Sequence, residues 1–394
     1  MSIITQAWSP DGKVRAYRMC SRCVMDTTDP AITFDKDGVC SHCQRFELQI
    51  KPHWKPTPDG AKELEAIVAA IKAEGQGKRY DCIIGLSGGV DSSYLAVKVV
   101  EWGLRPLVVH VDAGWNSELA VKNIEQIVTK LELDLVTCVI DWEDVKELHL
   151  AFLRAGLANQ DVPQDHAFFA ALYRYATDAG IRHVISGTNY ATEGVLPQSW
   201  GYDAMDATHL RAVHRKFGTR ALNSFPIMSF FKYYFYFPKV LKINVVDPLN
   251  FIPYEKQEAI DYLEANFGWR YYGGKHYESR WTRFMQAHYL PAKFGYDKRK
   301  AHLSSLIVSG QMSRDCALAE LAKPLYTDNE LSEDMAFVAK KLSITVEQLE
   351  AFIAEKPRNY TEFPTNALQV KWGLRALRLM RAPRWLFNKL LARR

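Results

Sequence analysis

Apolar and polar positions between residues 80 and 186 follow two alternating periods. Short apolar runs bounded by turn residues predict buried strands; they are residues 82–86, 107–111, 135–140 and 183–186. Apolar residues spaced three or four apart predict helices; these segments are residues 92–102, 118–131 and 167–179. Strands that alternate with helices predict an α/β fold with a doubly wound, mainly parallel sheet.

The chain on either side of this region has a different pattern. Residues 1–50 show little periodicity, and the proline-containing stretch at residues 51–58 is typical of a stiff linker. After about residue 250 the strand pattern fades and helical spacing takes over, as at residues 256–266, 315–321 and 346–354. We therefore expect three units: a small module at 1–55, a nucleotide-binding α/β domain at 56–250, and a mainly helical substrate or partner region at 251–394.

The first predicted strand runs directly into a glycine-containing loop that opens a helix. The loop consists of Ser87, Gly88, Gly89, Val90, Asp91, Ser92 and Ser93. Two glycines let backbone amides approach an anion closely, and a helix N-terminus adds unpaired N–H groups. No lysine follows the glycines, so the Walker pattern is absent. We expect the loop to bind a pyrophosphate group, with Asp91 orienting the amides or holding Mg²⁺.

This loop resembles the S-G-G-x-D-S signature of the PP-loop ATP pyrophosphatases. The resemblance implies ATP as the substrate, cleavage between the α- and β-phosphates, and an adenosine contact near the end of the second strand. Strand ends meet at one edge of such a sheet, so we assign further nucleotide contacts to His110, Asp112, Gly187 and Thr188. For Asp112, a capping role at a turn is an equal alternative.

Four of the seven cysteines form two close pairs. Cys20 and Cys23 are followed, after sixteen intervening residues, by Cys40 and Cys43. This is the spacing of a zinc ribbon, and four thiolates around Zn²⁺ leave no open position for catalysis. We expect structural zinc that folds a segment without a core of its own.

The PP-loop resemblance leaves two kinds of nucleophile open, ammonia and sulfur. We find no glutaminase signature, so ammonia has to come from a separate glutaminase subunit. Thiolation of tRNA normally needs a reactive cysteine pair and a broad basic surface. Cys82, Cys138 and Cys316 are single, which makes the tRNA thiolation enzyme the alternative hypothesis. A noncatalytic scaffold that keeps the nucleotide fold is a third.

Longer blocks narrow the resemblance to the bacterial N-acetyl sugar amidotransferases. The blocks are residues 20–27, the loop with residues 109–116, residues 187–194, residues 272–279 and residues 293–305. This resemblance implies an ATP-dependent carbon–nitrogen ligase of surface-polysaccharide (LPS O-antigen) biosynthesis. Such an enzyme converts the acetamido group of a nucleotide-activated N-acetyl sugar into an acetamidino group. It also implies two partners, an ammonia-supplying glutaminase and a cyclase-like barrel subunit.

The blocks supply the remaining candidate site residues. We expect Ser87, Asp91, Glu193 and Lys298 to be catalytic. Basic and polar side chains that suit a sugar carboxylate or diphosphate are the substrate candidates; they are Asn189, Lys275, His276, Glu278, Lys293, Arg299 and His302. A solvated basic loop is the alternative for this group.

Composition and charge add limits. No apolar run approaches the length of a bilayer span, and we expect a cytoplasmic enzyme. The net charge is +5, yet residues 371–394 alone carry eight basic residues and no acid. The rest of the chain is therefore slightly acidic, so we expect no nucleic-acid partner. The basic amphipathic tail suits a membrane surface, the ammonia-supplying partner or the protein's own surface, and a homodimer is a further expectation.

Overall fold

The structure is a computed structural model that describes residues 6–7, 15–275 and 277–372. The strands are β1 (Gln6–Ala7), β2 (Arg15–Ala16), β3 (Cys82–Gly85), β4 (Pro106–Asp112), β5 (Leu135–Val139), β6 (His183–Ile185) and β7 (Asn244–Val246). The α-helices are α1 (Ser41–Arg45), α2 (Pro58–Glu74), α3 (Val90–Glu101), α4 (Glu118–Lys130), α5 (Trp142–Ala155), α6 (Val162–Asp178), α7 (Tyr190–Glu193), α8 (Ala207–Phe217), α9 (Lys256–Phe267), α10 (Arg280–Phe284), α11 (Leu290–Phe294), α12 (Lys298–Val308), α13 (Arg314–Leu321), α14 (Asp328–Leu342) and α15 (Val346–Ala354).

Other helical turns join these elements. Three segments are π-helical, namely Phe46–Ile50, Lys232–Val240 and Met285–Tyr289. Three are 3-10 turns, namely Lys51–His53, Pro248–Asn250 and Tyr360–Glu362.

The main sheet has five parallel strands in the order β5-β4-β3-β6-β7. The chain first builds outward from β3 to β4 and β5, then returns to add β6 and β7 on the other side. The direction of winding therefore reverses at β3, whose carboxyl end leads into the loop at residues 87–93. Ligands in doubly wound sheets bind at this kind of reversal. The predicted fold class is confirmed.

The two faces of the sheet pack into different hydrophobic cores because successive strand side chains point to opposite sides. Ile83 of β3 lies in a core shared with helices α5 and α6. Its neighbours Cys82 and Ile84 lie in a second core, together with residues of helices α2, α3, α4 and α9. Helices thus cover both faces, which explains why the central strands read as continuous apolar runs.

Packing continues across the predicted boundary at residue 250. Ile260 and Leu263 of α9 are buried in the same core as Ile84 of β3. The sequence pattern did not predict β7, whose three residues complete the sheet beside β6. The contacts of α9 place this helix with the sheet domain. The domain limits of 1–55, 56–250 and 251–394 stay predictions.

The aromatic run at residues 230–237 is only partly buried. Phe237 packs in the core, whereas Phe231 and Phe235 are exposed at the surface. None of the helices in the described part of the chain is both long and apolar enough to cross a bilayer. Most of the basic tail, residues 373–394, lies outside the described residues, and so does His276.

Candidate functional site

The loop between β3 and α3 requires glycine at one position in particular. Gly88 has φ of +82°, and a Cβ there would stand 2.5 Å from the carbonyl oxygen of Ala120. Its own carbonyl oxygen accepts a hydrogen bond from the indole N–H of Trp269 at 3.0 Å. The backbone is therefore held from two sides, at a position where a side chain would be both strained and in contact with Ala120.

Hydroxyl groups surround the amides of this loop. The Oγ atoms of Ser87 and Ser92 lie 3.1 Å apart, and Ser87 Oγ accepts the Gly89 N–H at 3.3 Å. The Val90 N–H donates to the phenol oxygen of Tyr272 at 3.1 Å. Phosphate oxygens accept hydrogen bonds from the same kind of backbone N–H group at a helix N-terminus. The loop is therefore arranged to bind an anion.

Lys275 brings a positive charge to the loop from a distant part of the chain. Its ammonium lies 3.3 Å from Asp91 Oδ2 and 3.0 Å from Glu193 Oε1, and donates to Thr192 Oγ1 at 2.7 Å. The side chain is only 8% exposed. Burial alone lowers the pKa of Lys275, but the two carboxylates outweigh burial and raise it overall. The ammonium therefore stays charged at neutral pH.

Sequence reasoning missed three neighbours of this lysine. The phenol of Tyr254 donates to Asp91 Oδ1, and burial raises the pKa of Tyr254 and of Tyr272 well above the usual value, so both remain donors. Lys256 has a pKa lowered by burial and by the nearby charge of Lys275. A signal for Tyr254 and Lys256 was available only by recognising β7, because they follow that strand.

Glu278 joins the loop to the C-terminal region. Its Oε1 accepts a hydrogen bond from Ser87 Oγ at 3.4 Å. Its backbone carbonyl accepts the Ser117 N–H at 2.8 Å, and Ser279 forms an antiparallel bridge with Asn116. The segment that follows Lys275 is thus fastened to the carboxyl end of β4, which fixes the Glu278 carboxylate over the loop.

At the other predicted nucleotide contacts, polar side chains organise the strand ends. The Nδ1 of buried His110 lies 2.9 Å from the Leu86 carbonyl oxygen, and its Nε2 lies 3.1 Å from Asn116 Nδ2. These contacts join the ends of β3 and β4 through the His110 ring. Asp112 Oδ1 accepts the Gly114 N–H at 2.7 Å. Both residues hold the turn after β4; their contact with adenosine stays a prediction.

The end of β6 reaches the start of α3. A Cβ on Gly187 would stand 3.4 Å from the Asp91 carbonyl, so this strand end lies directly against the loop helix. Thr188 is exposed beside it. Asn189 is fully buried, and its Oδ1 caps α7 by accepting the Thr192 N–H at 2.9 Å. This cap positions Thr192 and Glu193, and the substrate contact of Asn189 stays a prediction.

Two other predicted substrate residues also bind backbone carbonyls. The Lys293 ammonium donates to the carbonyl oxygens of Phe352, Ile353 and Glu355 at the end of α15. The Arg299 guanidinium donates to carbonyl oxygens at the end of α13, at 2.8–3.4 Å. Cations commonly close helix C-termini in this way. These bonds stabilise the ends of α15 and α13, and the substrate contacts of Lys293 and Arg299 stay predictions.

Lys298 and His302 lie one turn apart on α12, on the same face of the helix. Burial lowers the pKa of Lys298, while the carboxylates of Asp161, Asp165 and Glu193 oppose that shift. Lys298 thus lies within electrostatic range of Glu193 and Lys275, in agreement with a place at this site. His302 is half-buried.

The four N-terminal cysteines form one buried cluster, with all Sγ atoms within 4.8 Å of one another. The Sγ atoms of Cys20 and Cys43 lie 3.9 Å apart, and those of Cys23 and Cys40 lie 3.6 Å apart. Zinc–sulfur bonds of about 2.3 Å in a tetrahedron require sulfur–sulfur distances of about 3.8 Å. The residues therefore fit a tetrahedral zinc ion, as expected from the sequence, with no position left for a substrate.

Replacing Cys23 with serine is expected to abolish stoichiometric zinc and to unfold the N-terminal module, because apparent zinc binding supplies about 10 kcal/mol to such segments. Metal analysis and limited proteolysis measure the two effects. Cys316→Ser is the matched control, since Cys316 is an exposed thiol outside the cluster. Full zinc content in the Cys23→Ser protein would contradict the assignment.

Comparison with known proteins finds one family model and several solved structures. Residues 278–378 match the model described as LPS biosynthesis protein WbpG-like, C-terminal domain. No curated protein matches. NMN synthetase from Francisella tularensis is 18% identical, over 55% of this chain and 90% of that one, with a TM-score of 0.27. The NH3-dependent NAD synthetase from Campylobacter jejuni is 19% identical, over 53% and 85%, with a TM-score of 0.29.

The family match begins at Glu278, the residue whose carboxylate lies against Ser87. The matched region therefore starts beside the loop at residues 87–93 and continues through Lys298 and α12. The chain thus combines a parallel α/β sheet with a C-terminal region similar to the C-terminal domain of WbpG-like LPS biosynthesis proteins.

Proposed function

We propose that the protein is an ATP-dependent, AMP-forming amidotransferase of lipopolysaccharide biosynthesis. Its substrate is a nucleotide-activated N-acetyl sugar, whose acetamido group becomes an acetamidino group. The observation that carries the proposal is the meeting of Ser87, Asp91, Lys275 and Glu278 at one loop. The WbpG-like match supports the LPS context, and the PP-loop supports the use of ATP.

The position of the positive charges favours pyrophosphate as the leaving group. A Walker lysine belongs to the loop itself and draws on the terminal phosphates. Here the lysines come from outside the loop, with Lys275 held beside Asp91 and Lys256 close to both. They neutralise charge that develops on the β-phosphate side as the bond to the α-phosphate breaks.

The charge balance also favours a divalent cation. The three carboxylates of Asp91, Glu193 and Glu278 already face the ammonium groups of Lys275, Lys256 and Lys298 before any nucleotide binds, so these positive charges are balanced. Adding a triphosphate to this group is electrostatically unfavourable without further positive charge. Asp91 would hold Mg²⁺, which would supply that charge when bound.

In the proposed reaction, the amide oxygen of the acetamido group attacks the α-phosphorus of ATP. The bond to the bridging oxygen breaks, pyrophosphate leaves into the loop, and the amide carbon carries AMP as a good leaving group. Ammonia then adds to this carbon, the carbon–oxygen bond breaks and AMP departs, which leaves a protonated amidine. We propose that Glu193 and Lys298 accept and donate the protons that move in this step.

We propose that ammonia arrives from a separate glutaminase with a cyclase-like barrel. All seven cysteines lie in the described residues, and they are accounted for without a glutaminase nucleophile. Four form the zinc cluster, Cys82 and Cys138 are buried in strands, and Cys316 is exposed on α13. The three other thiols lie on different elements, β3, β5 and α13, which disfavours the tRNA thiolation alternative.

The proposal is tested by product analysis. ATP, Mg²⁺, ammonium and a UDP-N-acetyl sugar are incubated with the protein, and phosphorus NMR and mass spectrometry identify the products. We expect AMP, pyrophosphate and a sugar in which one oxygen is replaced by NH. A reaction without sugar is the control for idle hydrolysis. Release of ADP and phosphate, or sulfur incorporation into tRNA, would rule the proposal out.

A further inference from the structure

Helix α12 lies between the zinc module and the segment that holds Lys275. Two adjacent serines on this helix, Ser304 and Ser305, are fully buried. Consecutive helical residues point about 100° apart, so the two hydroxyls serve different neighbours. Ser304 Oγ accepts the Val24 N–H at 3.2 Å, directly after the first cysteine pair. Ser305 Oγ accepts the Val195 N–H at 2.9 Å, two residues after Glu193.

Further contacts fasten the zinc module to α12 and α13. The Arg314 guanidinium donates to the carbonyl oxygens of Cys20 and Cys23, both at 3.1 Å. Lys300 forms an ion pair with the buried carboxylate of Asp26. The Arg314 bonds are made to backbone carbonyl groups of the metal-binding turn. The Lys300 ion pair is made to a side chain three residues after Cys23. Their geometry therefore depends on the turn having its metal-bound shape.

At its other side, α12 holds the short helix α7. Ser309 Oγ donates to the carbonyl oxygen of Ala191 at 2.9 Å, which adds to the Ser305 bond. The next residues of α7, Thr192 and Glu193, bind the Lys275 ammonium. That ammonium reaches Asp91 in the nucleotide loop. Hydrogen bonds and ion pairs thus connect the cysteine cluster to the loop through α12.

We propose that Ser304 and Ser305 are positioning residues that couple zinc binding to nucleotide binding through α12. The zinc module then keeps α7 and Lys275 in place for ATP, rather than only stabilising the N-terminus. The inference rests on the proposed function in one respect, that the loop ligand is ATP. Coupling between two binding sites is reciprocal, so nucleotide must also increase the affinity for zinc.

The test is an equilibrium competition between the full-length protein and a zinc chelator, with and without α,β-methylene-ATP plus Mg²⁺. Nucleotide is expected to raise the apparent zinc affinity of the wild type by roughly 5-fold or more, within the usual range of coupling between sites. The Ser305→Ala protein is expected to lose this increase while its zinc affinity without nucleotide stays at the wild-type value. Arg314→Gln, which removes the contacts of α13 with the cysteine turn, is the second variant and should also lose the increase.

Ser229→Ala is the matched control, because Ser229 Oγ also accepts a backbone N–H, that of Lys232, but joins no two modules. It should keep the full increase. Loss of the increase in this control would assign the effect to general destabilisation and overturn the proposal. Direct titration of the analogue separates the two failures. Binding of the analogue without a change in zinc affinity refutes the coupling alone, and absence of binding refutes the proposed function as well.

Discussion

Replacing Lys275 with methionine is expected to lower kcat/KM for ATP by about 100- to 1000-fold, the typical cost of losing one transition-state charge contact. The methionine keeps much of the buried volume but leaves the carboxylates of Asp91 and Glu193 without their shared cation. Negative charge then faces the departing pyrophosphate. Steady-state pyrophosphate release measures the effect, and titration with an ATP analogue separates binding from chemistry.

Two variants show whether the position of the charge matters. Lys275→Arg keeps a positive charge, but its planar, longer head group fits the present contacts poorly, so an intermediate loss is expected. Lys293→Met removes another buried lysine, whose ammonium binds carbonyl groups at the end of α15. That variant should lose stability and much less of its kcat/KM. Wild-type turnover in Lys275→Met would contradict the site described here.

Replacing Asp91 with asparagine is expected to lower kcat by about 100- to 1000-fold and to raise the Mg²⁺ concentration needed for half-maximal rate. The side chain is isosteric, so Tyr254 keeps a hydrogen-bond partner while the charge that holds Lys275 and the cation is lost. Initial rates measured across a Mg²⁺ series detect both changes.

Asp141→Ala serves as the control for Asp91. Asp141 caps α5 by accepting the Asp144 N–H at 3.0 Å, so its loss should cost about 1 kcal/mol of stability. Its dependence on Mg²⁺ should equal that of the wild type. An Asp91→Asn protein with an unchanged Mg²⁺ requirement would argue against a role of this carboxylate in binding the cation.

Local sequence patterns predicted most of the sheet domain. The strand at 82–86 and the helix at 118–131 correspond to β3 and α4 within one residue at each end. Apolar periodicity succeeds here because the strands are buried on both faces and the helices on one. The pattern missed β7, since only Val246 of its three residues is buried and the strand therefore shows no buried apolar run. Without β7, nothing indicated that Tyr254 and Lys256 lie near the loop.

The candidate site was predicted less evenly. The loop at residues 87–93 and the four cysteines could be assigned because their chemistry depends on neighbours close in sequence. The basic residues after position 270 could not be ranked from sequence alone. The sequence does not distinguish Lys275 from Lys293, yet Lys275 forms an ion pair with Asp91 and Lys293 binds carbonyl groups at the end of α15.

The sequence by itself determined the fold class, the glycine-containing loop and the cysteine pairs that cluster, because each depends on local spacing and backbone preference. Only the tertiary structure decided which charges meet at the loop. Lys275 lies 184 positions from Asp91 and Glu278 lies 191 positions from Ser87. Such contacts depend on how the sheet and the segment after β7 pack together. The local spacing of apolar residues does not predict that packing, because the free energy that stabilises it comes from apolar surface buried across the whole domain.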